Sequence, residues 1–138
     1  MLEEVDALIP FSAACWAEGS AAPLEIHDAC LHGCDPSWLE AYRAVMGKDP
    51  LLATMLEHSG RTMHLGTLPA NAQRSRSRPY QTFRTSHGMA DALGTLWIEP
   101  LSGLIEFLMV WRDDTGQPFN EAERLLCLLY TSPSPRDS

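Results

Sequence analysis

The sequence predicts an α+β domain built on a single antiparallel sheet of about five strands flanked by helices. Three observations carry that prediction. Met89 to Glu99 and Gly103 to Arg112 are the clearest strands, and Pro100-Leu101-Ser102-Gly103 between them has Pro and Gly where a tight hairpin turn wants them. Read along the chain, the patterns run helix, two strands, helices, strand, helix, two strands, helix, rather than in strict βα alternation. The last strand is apolar at both parities, with Leu104, Leu108 and Val110 on one side and Ile105, Phe107, Met109 and Trp111 on the other. Both faces of the sheet should therefore be covered.

Met1 to Ile9 reads as the end of a helix, with Leu2, Val5, Leu8 and Ile9 at helical spacing and Pro10 closing it. Phe11 to Glu18 is a strand ended by Gly19, and Leu24 to Leu31 is a second. Asp35-Pro36 then supplies an N-cap followed by Pro at the first helical position. Trp38, Leu39, Tyr42, Val45 and Met46 make one apolar stripe along that helix. Asp49-Pro50 repeats the device over Leu51, Leu52, Met55 and Leu56. Arg61 to Gly66 is a short strand, and Thr67 to Ser77 is polar loop or weak helix. Pro79 to Ser86 is a helix with Tyr80 and Phe83 inward and Gly88 as its left-handed C-cap. After the hairpin, Asp113 to Pro118 is a loop leading to a helix whose Asn120 and Glu123 stand at capping-box spacing.

At 138 residues the chain suits one domain and can bury a core without metals or disulfides. Ten Lys and Arg against eighteen Asp and Glu leave a net charge of −8, a poor footprint for nucleic acid. No apolar run approaches the ~18 residues of a membrane span. The acidic start MLEEVDALIP is unlike a secretion signal. The stretch Cys127 to Asp137, CLLYTSPSPRD, is similar to one reading frame of a transposon-based sequencing-library adapter. That similarity implies one natural domain over 1–126, cut at its C-terminus and open to truncation at its N-terminus, followed by an artefactual tail over 127–138.

The run from Ile26 to Leu52, IHDACLHGCDPSWLEAYRAVMGKDPLL, resembles the N-terminal sensor region of bacterial LuxR-type helix-turn-helix transcriptional regulators. So do the Arg84-Thr85-Ser86-His87-Gly88 turn and the segment Gly103 to Leu126, GLIEFLMVWRDDTGQPFNEAERLL. The resemblance implies a GAF-like or PAS-like fold in the cytoplasm, sensing a small molecule or a partner. It also implies that DNA is reached only through a C-terminal domain outside this sequence. The alternative within the same fold is a ligand-free dimerisation module, a homodimer joined through its terminal helices.

A sheet roofed by mid-chain helices leaves a natural pocket beneath the roof. Trp16, Tyr42, Tyr80, Phe83 and Trp97 are the aromatics expected to line it, while Trp38 and Trp111 read as packing residues. His27, Cys30, His32 and Cys34 contain metal-ligand residue types, yet no second ligand pair stands elsewhere at zinc-site spacing. A strand with small thiols in the core is the better reading, with a Cys30/Cys34 metal or redox module as the weaker alternative. Ser86, His87 and Asp91 could be drawn as a nucleophile and base, but no nucleophile elbow frames them. No G-x-G-x-x-G or P-loop occurs. Neither an enzyme nor a cofactor is expected. Arg74, Arg76 and Arg78 read as a solvated loop, placed to attract an anion at the mouth of a pocket.

Overall fold

The computed structural model describes residues 9–68, 77–115 and 117–131, the last three by their backbone alone. The helix expected before Ile9, Arg74 and Arg76, and the Ser/Pro stretch from Ser132 onward lie outside the described residues.

Five strands form one antiparallel sheet: β1 (Ala13–Ala21), β2 (Leu24–His32), β3 (Thr62–His64), β4 (Asp91–Ile98) and β5 (Leu104–Arg112). They lie in the order β2-β1-β5-β4-β3. The last strand in sequence therefore sits at the centre, paired with β1 on one side and β4 on the other. Its two apolar parities follow from that position. Ile105, Phe107, Met109 and Trp111 enter one core, while Leu108 and Val110 enter a second core on the opposite face. Leu104, at the hairpin, is exposed.

Three helices cover the first face: α1 (Ser37–Val45), α2 (Pro50–Glu57) and α3 (Arg78–Ser86). Asp49 and Ser77 cap α2 and α3 as the sequence offers, while α1 has Pro36 at its N-cap and Asp35 just before it holding the first N–H. Asp35 Oδ1 accepts from Ser37 N at 2.8 Å, Asp49 Oδ1 from Leu51 N at 2.9 Å, and Ser77 Oγ from Tyr80 N at 3.2 Å. Side-chain caps of this kind satisfy backbone N–H groups that the helix itself leaves unpaired. Gly88, at φ 65°, follows α3 in the left-handed conformation expected of it.

The second face carries α4 (Glu121–Thr131). Its capping box is reciprocal: Asn120 Oδ1 accepts from Glu123 N at 2.8 Å, and Glu123 Oε1 accepts from Asn120 N at 3.1 Å. The same Glu123 receives a two-pronged ion pair from Arg112 at the end of β5. Arg112 also lies 4.1 Å over the Phe119 ring, and its Nε donates to Pro10 O at 2.7 Å. Asp91, buried at the start of β4, accepts from Phe119 N at 2.8 Å and pairs with His64 Nε2 at 2.6 Å. These contacts fix how the chain enters α4. Further along the helix, Cys127 is fully buried in the second core, with its Sγ 4.0 Å from Thr95 Oγ1.

One sequence expectation is corrected at Gly19. Rather than ending β1, it sits at a bulge where the register to β2 shifts, and the strand continues to Ala21. A Cβ there would lie 1.9 Å from Glu25 O, so the missing side chain permits the close strand approach of the bulge.

Gly94 on β4 serves packing in a similar way. A Cβ at that position would lie 2.4 Å from Met55 Sδ, and Met55 of α2 is fully buried. Gly94→Ala is expected to cost about 1–3 kcal/mol through overpacking. In a Met55→Ala background the same change should cost clearly less, because the added methyl then has space. Urea unfolding of the two single variants and the double variant measures this coupling; strictly additive losses would contradict it.

Candidate functional site

The roof helices bring together an aromatic cluster with one carboxylate at its centre. Trp111 of β5 stacks on Trp38 of α1 at 4.7 Å between ring centroids, and Trp38 stacks on Tyr42 at 4.9 Å. This column arises because Trp38 and Tyr42, four residues apart on α1, share one helix face. Phe83 of α3 packs on Trp38 at 5.8 Å and on Tyr42 at 5.6 Å. Such ring pairs add about 0.5–1.5 kcal/mol each beyond simple burial.

Asp49, which caps α2, is 2% exposed. Its Oδ2 accepts from the Tyr42 hydroxyl at 2.6 Å, and its Oδ1 accepts from the Tyr80 hydroxyl at 2.8 Å. Loss of water around this carboxyl raises its pKa, with the hydroxyl and backbone donors pulling the other way. Burial and the adjacent Asp49 raise both tyrosine hydroxyls well above their ordinary range, so they stay protonated as donors. Three helices thus meet at one side chain: α1 through Tyr42, α2 through its cap, and α3 through Tyr80.

One polar atom in this cluster has no such accommodation. Among the described residues, Trp38 Nε1 is the buried side-chain donor without a hydrogen-bond partner. An unpaired buried N–H costs about 1–3 kcal/mol. It sits in the same buried aromatic cluster as Asp49, whose two oxygens are already met by Tyr42, Tyr80 and Leu51 N. The open hydrogen-bonding position in the cluster is therefore that of the Trp38 donor.

The five aromatics singled out from sequence divide between the two faces. Tyr42, Tyr80 and Phe83 lie in the roof cluster. Trp16 packs against the second core, and Trp97 packs on Trp16 at 6.3 Å. Trp97 lines a cleft of about 730 Å³ with Glu18, His27, Leu104 and Glu106, away from the roof. The structure therefore does not bring Trp16 and Trp97 to the other three. Trp38 and Trp111, read from sequence as packing residues, stand inside the roof cluster instead. Asp49 was legible as a helix cap, but nothing in the local pattern marks it as the meeting point of two tyrosines. A second cleft, of about 540 Å³, opens outside α3 and is lined by Tyr80, Gln81, Arg84, Met89 and Asp114, among others.

Cys30 and Cys34 stand near enough to Cys15 to act on its thiol. Cys15 is buried, with its thiol pushed up to about 12 foremost by burial, while Cys30 is exposed and Cys34 half-buried. Among the described residues no group of three or more His, Cys, Asp or Glu could hold a metal ion. Nor is any described helix long and apolar enough to cross a membrane. His87 caps the end of α3 and packs on Phe83 at 4.8 Å.

The fold is that of LuxR-type ligand-binding domains and of GAF domains. CepR2 of Burkholderia cenocepacia, an N-acylhomoserine lactone dependent LuxR family transcription factor, superposes with TM-score 0.61 at 14% identity over 94% of this chain and 76% of its own. Escherichia coli SdiA in complex with octanoyl-rac-glycerol gives TM-score 0.62 at 15% identity over 92% of this chain and 53% of its own. The chain thus spans about half the length of SdiA. The GAF domain/HD domain protein of Geobacter sulfurreducens gives TM-score 0.59 at 15% identity over 90% of this chain and 77% of its own. No protein-family model matches the chain, and neither does any curated protein.

The raised Asp49 pKa makes a signed prediction. A carboxyl that binds its proton more tightly when folded supports stability fully below its ordinary value of 3.8, and this support is lost as pH rises through the folded value. Asp49→Asn keeps a good cap and removes the titration. The stability of wild type relative to this variant should therefore fall as pH climbs from 4 toward 7, measured by urea unfolding. A difference independent of pH would contradict the raised pKa.

Proposed function

We propose that this chain is the signal-sensing domain of a LuxR-type transcriptional regulator, binding a small molecule beneath its roof helices. The observation that carries this reading is the unpaired Trp38 Nε1 inside the same buried aromatic cluster as the Asp49 carboxylate. A closed core gains nothing from an orphan donor, whereas a ligand acceptor would pair it. The fold shared with a lactone-dependent regulator and with SdiA bound to octanoyl-rac-glycerol supports the same reading. On it, Trp38, Tyr42, Asp49, Tyr80, Phe83 and Trp111 surround the ligand. Trp16 and Trp97 stand on the other face, outside the binding residues.

The sensor unit is residues 1–126, it works by binding rather than catalysis, and it acts in the cytoplasm. The ligand favours one arrangement of the terminal helices over another, and that bias passes to a DNA-binding domain beyond this sequence. Leu125, 47% exposed on α4, favours one alternative, association of two copies through that helix. Light scattering that finds only monomers across a wide concentration range removes it.

The sensing reading is tested by calorimetric titration with octanoyl-rac-glycerol and with N-octanoyl homoserine lactone. Wild type is expected to bind at least one of them. Trp38→Phe keeps an aromatic ring and removes the N–H, so it should weaken binding by about tenfold, near the worth of one buried hydrogen bond. Equal affinity in the variant would remove Trp38 from the site, and no binding by wild type would sink the reading for acyl ligands.

A further inference from the structure

Resting on that reading, we propose that Tyr80 is a displaceable internal occupant of the site: its hydroxyl holds the position on Asp49 that a ligand's polar head takes, and its ring withdraws into the cleft outside α3 when the ligand enters. Both tyrosines on Asp49 are buried, Tyr80 at 2% exposed, but they differ in their ring contacts and in what lies behind them. Tyr42 is fully buried in the middle of α1 and stacked on Trp38, which is itself stacked on Trp111. It cannot leave without breaking that column. Tyr80 lies in the first turn of α3, three residues after the Ser77 cap, and its ring contact is with Phe83 at 6.4 Å.

Tyr80 also has somewhere to go. Its outer side forms part of the wall of the cleft of about 540 Å³, together with Gln81, Arg84, Thr85 and Met89. Cavities of roughly 300–1,000 Å³ take whole small molecules, so a phenol ring fits with room to spare. In the closed form Asp49 is fully supplied by Tyr42, Tyr80 and Leu51 N, whereas Trp38 Nε1 is not. A head group that donates to Asp49 and accepts from Trp38 replaces the Tyr80 bond and adds a second one. A ligand with an acceptor but no donor leaves Asp49 short of a partner once Tyr80 moves. Tyr80 therefore acts as a selectivity gate: it keeps the site closed against purely apolar molecules and against acceptors without a donor.

Two measurements test the gate. In calorimetry with octanoyl-rac-glycerol, Tyr80→Phe should bind about three- to tenfold more tightly than wild type, because the ligand no longer competes with an internal hydrogen bond. Tyr42→Phe should bind more weakly. Unchanged or weaker binding by Tyr80→Phe overturns the gate while leaving the sensing reading intact if wild type still binds. The second measurement needs no ligand and uses the wild-type chain carrying 3-fluorotyrosine, with Tyr80→Phe and Tyr42→Phe to assign the resonances. Fluorine relaxation dispersion should show exchange at Tyr80 that is absent at Tyr42. A Tyr80 resonance as static as that of Tyr42 overturns the proposal, whatever the titrations show. Exchange at Tyr80 with no binding of the probe by any variant removes the sensing reading and, with it, the role of that motion as a ligand gate.

Discussion

The carboxylate of Asp49 is the interaction on which the roof of this molecule depends. It caps α2 through Leu51 N, and it receives the hydroxyls of Tyr42 from α1 and Tyr80 from α3. A buried carboxylate is costly unless its lone pairs are met, so the three donors must come from three elements that arrive together. The aromatic rings could slide over one another at little cost, since apolar burial is not directional. The hydrogen bonds to Asp49 are directional, and they set how the three helices stand over the sheet. The same carboxylate is therefore both the keystone of the closed roof and the acceptor around which the proposed site is built.

The sheet separates this roof from α4, yet it also joins them. β4 meets α2 on one face through Gly94 and Met55, and it meets α4 on the other through Asp91 and Thr95. Movement of α2 in response to a ligand would press on the strand that also seats the entrance to α4. On the far side, α4 is seated by the apolar packing of Phe119, Leu126 and Cys127 and by polar contacts: Asp91 with Phe119 N, Arg112 with Glu123, and Arg124 with Thr62 O at 2.9 Å. Polar fastenings lose most of their value when geometry shifts by an ångström, because hydrogen bonds weaken steeply with misalignment.

The helix caps and the hairpin were legible because their signals are local. Asp35, Asp49, Ser77 and Asn120 all hold backbone N–H groups within three residues of themselves. The double parity of the last strand correctly announced a sheet covered on both faces. What was not legible was how strands register against one another. Trp16 is paired with Leu108 and Trp97 with Glu106, and only those pairings put both rings on the α4 face. Sequence alternation says which residues of one strand share a face, but not which face that is. Gly19 shows the same limit, since its role at a bulge depends on how closely Glu25 of the neighbouring strand approaches.

The sequence by itself determined the fold class, the order of elements and most helix starts. Each of these follows from periodicity or from side chains acting on their own neighbours in the chain. Only the tertiary structure decided that Trp38 and Trp111 stack in one column with Tyr42, that Trp16 and Trp97 lie on the other face, and that Asp49 ties the three roof helices together. The physical reason is one of distance along the chain. Tyr80 lies 31 residues from Asp49, and their bond exists only once α2 and α3 have been laid side by side on the sheet.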